Sequence, residues 1–196
     1  MTPHQRFLEA FYPFIKIYAS ITGRSKQYKK SLLVTPPVSF YSLTAVFKNE
    51  QVFRFDTLRN KPVLIVNTAS DCGFTSQYKG LKKLSVQYPN LQILIFPSND
   101  FNNQEPGSDN EIEDFCRLSF DIHSPIFKKS VVTKGSDCNE IFRWLTNADY
   151  NGWNNEPPSW NFNKYLVDKE GRLTCIFSQF TDPLHSILIE HLSCFS

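Results

Sequence analysis

"PVLIVNTASDCGFTSQYKGLKKLSVQYPNLQILIFP", residues 62–97, holds two short, continuously apolar runs separated by one helix-length segment. Val63–Val66 and Ile93–Phe96 show no alternation of apolar with polar positions, which is how strands buried on both faces read. Between them Tyr78, Leu81, Leu84 and Tyr88 recur at helical spacing, with Lys79, Lys82 and Lys83 on other faces, and Pro89–Asn90 ends the run. Strand, helix and strand of these lengths form a βαβ unit with parallel pairing. Cys72 falls in the strand-to-helix connection, at or within a turn of the helix start.

The flanking segments extend this unit. Upstream, after Pro36–Pro37, "VSFYSLTAVF", "KNEQ" and "VFRF" read as a β-hairpin. Downstream, Ser108 and Glu111 have capping-box spacing and start a helix over "SDNEIEDFCRLSF". "SPIFKKSVV" reads as an edge strand and "SDCNEIFRWLTNA" as a helix with Ile141 and Leu145 inward. In "WNFNKYLVDKEGRLTCIF" the "DKEG" stretch joins two strands, and Asp182 and Pro183 stand as N-cap and N1 of a closing helix, "LHSILIEHL". The order is that of a thioredoxin-type α/β domain: a central mixed β-sheet flanked by helices, with an N-terminal β-hairpin. It is expected over residues 38–196, behind an extension at 1–37.

Composition narrows the functions available. The 196 residues suffice for one continuous core, and 41% hydrophobic content with 18 Phe opposes disorder. Lys and Arg number 21 against 19 Asp and Glu, so no general charge draws the chain to nucleic acid or to an anionic membrane. No apolar run is long enough for a transmembrane helix, and stable membrane insertion is not expected. Residues 1–37 hold six Lys/Arg and one acid, Glu9. They read either as a surface helix and linker packed ahead of the domain or as an organellar presequence, so the expected compartment is the cytoplasm, or the mitochondrion if the segment is a leader. The five cysteines include no Cys-x-x-Cys pair, which argues against zinc ribbons and secreted disulfide frameworks.

In open α/β sheets, chemistry gathers where loops leave the carboxyl ends of parallel strands. Cys72 and Gln104 sit in the two loops of that rim. A thiol is nucleophilic as thiolate, and helix N–H groups or other donors lower its pKa. Asp71 opposes this unless it faces solvent, as expected. Spacing alone leaves a reactive thiol and a buried structural cysteine equally open.

"NTASDCGFTSQYKGL", "FPSNDFNNQEPGSDNEIEDFC" and "WNFNKYLVDKEG" resemble the three signature blocks of the glutathione peroxidase family, in order and spacing, and the likeness runs from about Phe40 to Leu192. The resemblance implies that Cys72 is the peroxidatic residue, with Gln104, Trp160 and Asn161 completing a catalytic tetrad. It implies a thiol peroxidase that reduces hydrogen peroxide and organic hydroperoxides through a Cys72 sulfenic acid and carries no cofactor. "EDFCRLSFDIHSPIF" resembles the segment bearing the resolving cysteine of the two-cysteine branch and nominates Cys116, remote enough that its helix must open for a disulfide to form. Only "LTNADYNGWNNEPPS" precedes the "WNF" block, where tetrameric, glutathione-using relatives carry an extra loop. The likeness is therefore to the monomeric branch recycled by thioredoxin, with glutathione as the other candidate reductant. A redox sensor or relay that oxidises a client protein uses the same thiols, and a non-catalytic binding module is disfavoured by the intact tetrad.

The chain departs from the family pattern at Ser98, Asp100 and Asn102. The charge of Asp100 is expected to bear on the thiolate or on partner docking, and Asn102 to take the left-handed conformation of the usual Gly. Trp153–Asn154 imitates the Trp–Asn pair without its context. Cys138 is the second candidate resolver but reads, with Cys175 and Cys194, as structural; Cys175 is expected on one strand face with Leu173 and Phe177. His4, His123, His185 and His191 lack metal-ligand company.

Overall fold

The two apolar runs pair as the parallel strands the sequence demands, Val63 opposite Gln92 through Thr68 opposite Pro97. The computed structural model describes residues 1–26, 28–30 and 34–193. Its strands are β1 (Tyr28–Lys30), β2 (Thr44–Val46), β3 (Val52–Arg54), β4 (Val63–Thr68), β5 (Gln92–Pro97), β6 (Lys164–Val167) and β7 (Leu173–Phe177). Its helices are α1 (Pro3–Ile21), α2 (Gln77–Gln87), α3 (Asp109–Phe120), α4 (Glu140–Leu145), α5 (Ala148–Asn151) and α6 (Ser186–Ser193). The main sheet runs in the order β1-β7-β6-β4-β5, with β2 and β3 as a separate hairpin. Among the described strands only β4 and β5 pair in parallel; β6, β7 and β1 pair antiparallel in turn, which makes the sheet mixed.

Alternation along β4 and β5 divides the core. Leu64, Val66, Ile93 and Ile95 pack with Tyr78, Leu81 and Leu84 of α2, Ile112 and Cys116 of α3 and Leu188 of α6. Val63, Ile65, Leu94 and Phe96 face the other way, against Ala45, Phe55 and the Ile141–Phe142 and Trp144–Leu145 pairs of α4. Every residue of β4 is buried, and each large aliphatic chain so placed contributes ~1.5–3 kcal/mol. Ser108 caps α3 as expected, its hydroxyl accepting the Glu111 N–H while the Glu111 carboxylate accepts the Ser108 N–H.

Four expectations need correction. "SPIFKKSVV" is not a strand: Phe127 N–H bonds to Ile95, Lys128 N–H to Val46 and Ser130 N–H to Pro97, while Asp109 takes the Lys129 N–H. Wedged between β5 and the hairpin, it shares its bonds among several partners and builds only isolated bridges. α4 is shorter than expected and starts at Glu140, where the Asn139 side chain caps it by accepting the Ile141 N–H. α6 starts at Ser186; Asp182 instead forms a turn, accepting the Leu184 N–H one turn early. A register irregularity at Leu166/Val167 leaves Cys175 opposite Leu166 and Leu173 opposite Val167. Leu173 therefore points into the other core from Cys175 and Phe177. Cys194 lies outside the described residues.

α1 packs against the start of α2 and the turn at Asp182. Thr2 and Gln5 close a capping box on α1, and Tyr12 and Ala19 are buried. The Tyr12 hydroxyl donates to Asp182 Oδ2 (2.9 Å), Lys16 pairs with the same carboxylate (3.2 Å), and Glu9 pairs with Lys79. β1 then adds an edge strand beside β7. Burial alone would raise the Asp182 pKa, but the Leu184 N–H, Lys16 and Tyr12 hold it below its ordinary value. A carboxyl depressed in this way stabilises the fold above its unfolded pKa and loses that contribution as pH falls through the folded one. Asp182→Ala is expected to cost ~1–3 kcal/mol at neutral pH, a gap that narrows towards pH ~3; urea denaturation at the two pH values measures it.

Candidate active site

β4 ends in polar residues, and these organise the rim. Asn67 donates from Nδ2 to Trp160 O (2.9 Å), accepts the Asn163 N–H at Oδ1 (3.0 Å), and its carbonyl accepts the Phe162 N–H (2.6 Å). Phe162 sits in the left-handed region (φ 64°), so the Trp160–Asn163 turn is held against its own backbone preference by a buried strand end. Beyond Thr68 the chain folds over Thr75, whose Oγ1 accepts the Cys72 N–H (3.1 Å) and reaches Cys72 O (2.7 Å) and Ala69 O (2.9 Å). The loop after β5 is stitched to this turn by Asp71 N–H on Gln104 O (2.9 Å). Asn102 and Asn103 both adopt positive φ there, as expected of Asn102.

These three loops bring Cys72, Trp160 and Asn161 together. The Cys72 sulfur is faced by the Phe74 N–H and the Trp160 and Asn161 side chains. Gln104 joins through Asn161, whose Nδ2 donates to Gln104 Oε1 (3.1 Å), while Asn161 Oδ1 is buried with no hydrogen-bond partner among the described residues. Cys72 lies further from the helix than the sequence implies: α2 starts at Gln77, so a turn N–H rather than the helix end meets the sulfur. Burial raises the thiol pKa, the three donors pull it back, Glu105 adds to the rise, and the balance stays above the ordinary value. The expected depression is absent because the sulfur is wholly buried.

Cys116 packs in the same apolar core as Cys72, inside an unbroken α3, and both thiols are free. Burial, against the pull of the neighbouring Tyr78 phenol, pushes Cys116 up to about 12. Cys138 belongs to the core on the opposite sheet face, away from Cys72. Asp100 turns from the site: its Oδ2 accepts the Val132 N–H (2.8 Å) and the Thr133 N–H and hydroxyl (both 2.9 Å). Ser98 is buried and its hydroxyl accepts the Asp100 N–H (3.3 Å). Trp153 and Asn154 bond to backbone carbonyls of Leu173 and Leu145, as structural residues do. No cluster of metal-ligand type occurs among the described residues.

Glu105 was not singled out from the sequence, although a carboxylate follows Gln104 directly. It is fully buried, accepts the Ser70 hydroxyl at Oε1 (2.6 Å) and has no partner at Oε2 among the described residues. Burial pushes it up to about 7, against the pull of Ser70 and Lys129 and with a further push from Asp71. Asp71 does not simply face solvent; its Oδ1 is buried and likewise unpartnered. The charge on Glu105 raises Cys72, Cys116 and Tyr78 alike.

A buried thiol facing an indole, a carboxamide and a peptide N–H thus lies on the carboxyl rim of a thioredoxin-type sheet. The model of the glutathione peroxidase family matches residues 40–146. Glutathione peroxidase-like peroxiredoxin 2 of Saccharomyces cerevisiae is 42% identical over 147 residues, 74% of this chain and 90% of that protein. Glutathione peroxidase-like peroxiredoxin GPX5 of Chlamydomonas reinhardtii is 44% identical over 146 residues, 74% and 89% of the two chains. The crystal structure of Trgpx in apo form has a TM-score of 0.60 at 27% identity, covering 80% of this chain and 96% of that one. This chain belongs to the glutathione peroxidase family.

Because the Glu105 pKa is raised, its contribution to stability is complete below the unfolded value and lost as pH rises through about 7. Glu105→Gln is therefore expected to gain stability over wild type between pH ~5 and pH ~8, by on the order of 3 kcal/mol. Thermal melts at both pH values test this. Loss of the charge should also shift the pH profile of Cys72 alkylation downward.

Proposed function

We propose that Cys72 is the peroxidatic residue and that the protein reduces hydrogen peroxide and organic hydroperoxides. What carries the reading is the convergence of Trp160, Asn161 and the Phe74 N–H on one buried sulfur. The Cys72 thiolate attacks one peroxide oxygen and forms an S–O bond as the O–O bond breaks. The alkoxide or hydroxide leaves with a proton, so Cys72–SH and ROOH give Cys72–SOH and ROH. Neutral N–H donors suit this step, since they stabilise anionic sulfur and developing oxygen charge without surrendering a proton themselves.

The Cys116 thiol then attacks the sulfenic sulfur; an S–S bond forms and the hydroxyl leaves as water. Cys116 lies in the middle of α3 beneath its apolar face, so this step requires α3 to open, which also exposes the thiol and lowers its pKa. A dithiol reductant, thioredoxin, returns both cysteines to thiols and is oxidised to its own disulfide. The short loop before Trp160 and the position of Cys116 support thioredoxin over glutathione, and a monomer as the working form. Residues 38–196 make the peroxidase domain, with 1–37 as an extension.

Cys72→Ser is expected to abolish turnover. Cys116→Ser should retain one stoichiometric reduction of peroxide but lose the thioredoxin-supported cycle, as read by NADPH-coupled assays with thioredoxin and glutathione in parallel. Full cycling by Cys116→Ser would remove Cys116 from the mechanism. Trp160→Phe deletes one donor and should raise the Cys72 pKa, costing ~10–1,000-fold in peroxide rate with the fold unchanged. Stopped-flow kinetics with a pH profile measures this.

A further inference from the structure

α1 has two apolar faces, and only one is used by the fold. Tyr12, Ile15 and Ala19 turn inward, where a Cβ on Gly73 would lie 3.3 Å from Ile15 and the Tyr12 and Phe74 rings meet edge to face. A second stripe, Phe7, Phe11, Phe14, Tyr18 and Ile21, recurs at i, i+4, i+7, i+11 and i+14, with Ile17 beside it. These side chains remain in solvent: Phe7 is 64% exposed, Phe14 62% and Ile21 81%. Phe7 stacks on Phe11 and Phe11 meets Phe14 at a tilt, with ring centroids 6.1 and 5.4 Å apart. The rings thus form one continuous exposed apolar ridge, the kind of patch that marks an interaction site.

Charge indicates what covers it. The groove between α1 and α2, about 520 Å³, is lined by Lys16, Lys79 and Lys83 against Glu9 and Asp182. Both acids are already paired, with Lys79 and Lys16. Lys83 makes no ion pair among the described residues, and Arg6 is exposed on the polar strip of α1. With both groove acids already paired, a second copy offers no unpaired anion of this groove to meet Arg6 and Lys83. An aromatic, aliphatic ridge bordered on one side by Arg6 and by Lys83, which lines the groove with Ile17, is instead the form of a helix lying in the interface of an anionic bilayer.

We propose that the outer face of α1 docks the folded protein on the surface of an anionic lipid bilayer. The apolar ridge enters the headgroup boundary, the cations meet lipid phosphates, and α1 lies flat without crossing. Because its inner face rests on Gly73 and Phe74, docking sets the Cys72 rim beside the bilayer.

Cosedimentation of the full chain with vesicles tests this, using phosphatidylcholine alone and phosphatidylcholine with phosphatidylglycerol at about 7:3. Binding to the anionic vesicles at least ~10-fold above the neutral ones is expected. Combining Phe7→Ser, Phe11→Ser and Phe14→Ser should abolish it while leaving the inner face, circular dichroism and melting intact. Arg6→Glu with Lys83→Glu keeps the ridge and should also lose anionic binding, which covers the case in which the triple variant disturbs α1. Absence of anionic binding, equal binding to neutral vesicles, or insensitivity to both sets of substitutions overturns the proposal. So does a dimer seen by light scattering that the ridge substitutions dissolve while vesicles bind nothing.

Discussion

β4 has no solvent-facing side, and most of this molecule follows from that. A strand buried on both faces must satisfy its backbone with two neighbours and its side chains with two cores, so it runs between β5 and β6 and separates the two apolar clusters. Its polar atoms can reach partners only at its end. Asn67, fully buried, spends its amide and its backbone carbonyl on the Trp160–Asn163 turn, and the chain immediately beyond it delivers Cys72. The sulfur and two of the donors that face it are therefore fixed to one rigid element from either side of the strand terminus, the arrangement expected where precise geometry matters.

Electrostatics in this pocket is a contest between burial and donation. Three N–H-bearing neighbours act to stabilise a thiolate that burial disfavours, and burial wins in the resting state. Glu105 adds to the barrier when ionised, and its own burial brings its titration to about 7. One buried carboxyl thus acts on the Cys72 sulfur and on the Cys116–Tyr78 pair under α3 alike. Oxygens of Asp71, Glu105 and Asn161 that are buried without a partner among the described residues mark this side of the core as less fully satisfied than the sheet itself, and such atoms favour local opening.

The extension shows how a segment outside the family match becomes part of the structure. Its inner face spends Tyr12 and Lys16 on Asp182 and places Ile15 on Gly73, while β1 closes one sheet edge that would otherwise present unpaired backbone groups. Its outer face remains free and apolar. The two halves of one helix are thus assigned to different surroundings, the protein's own core and something beyond it.

The sequence by itself determined the βαβ unit, the hairpins, the α3 cap and the convergence of three loops on one rim. Each of these rests on local periodicity, on turn chemistry or on the resemblance of contiguous blocks. It misplaced "SPIFKKSVV", the start of α6 and the facing of Leu173, because these depend on which distant backbone groups compete for a bond or on a single register irregularity. It did not find Asn67, Thr75 or Glu105, polar residues whose importance comes from partners far along the chain. Only the tertiary structure decided the protonation balance, since the pKa of Cys72 depends on how deeply the sulfur is buried and on a carboxylate 33 positions away. Burial and through-space charge are properties of the packed whole, and no local run of residues encodes them.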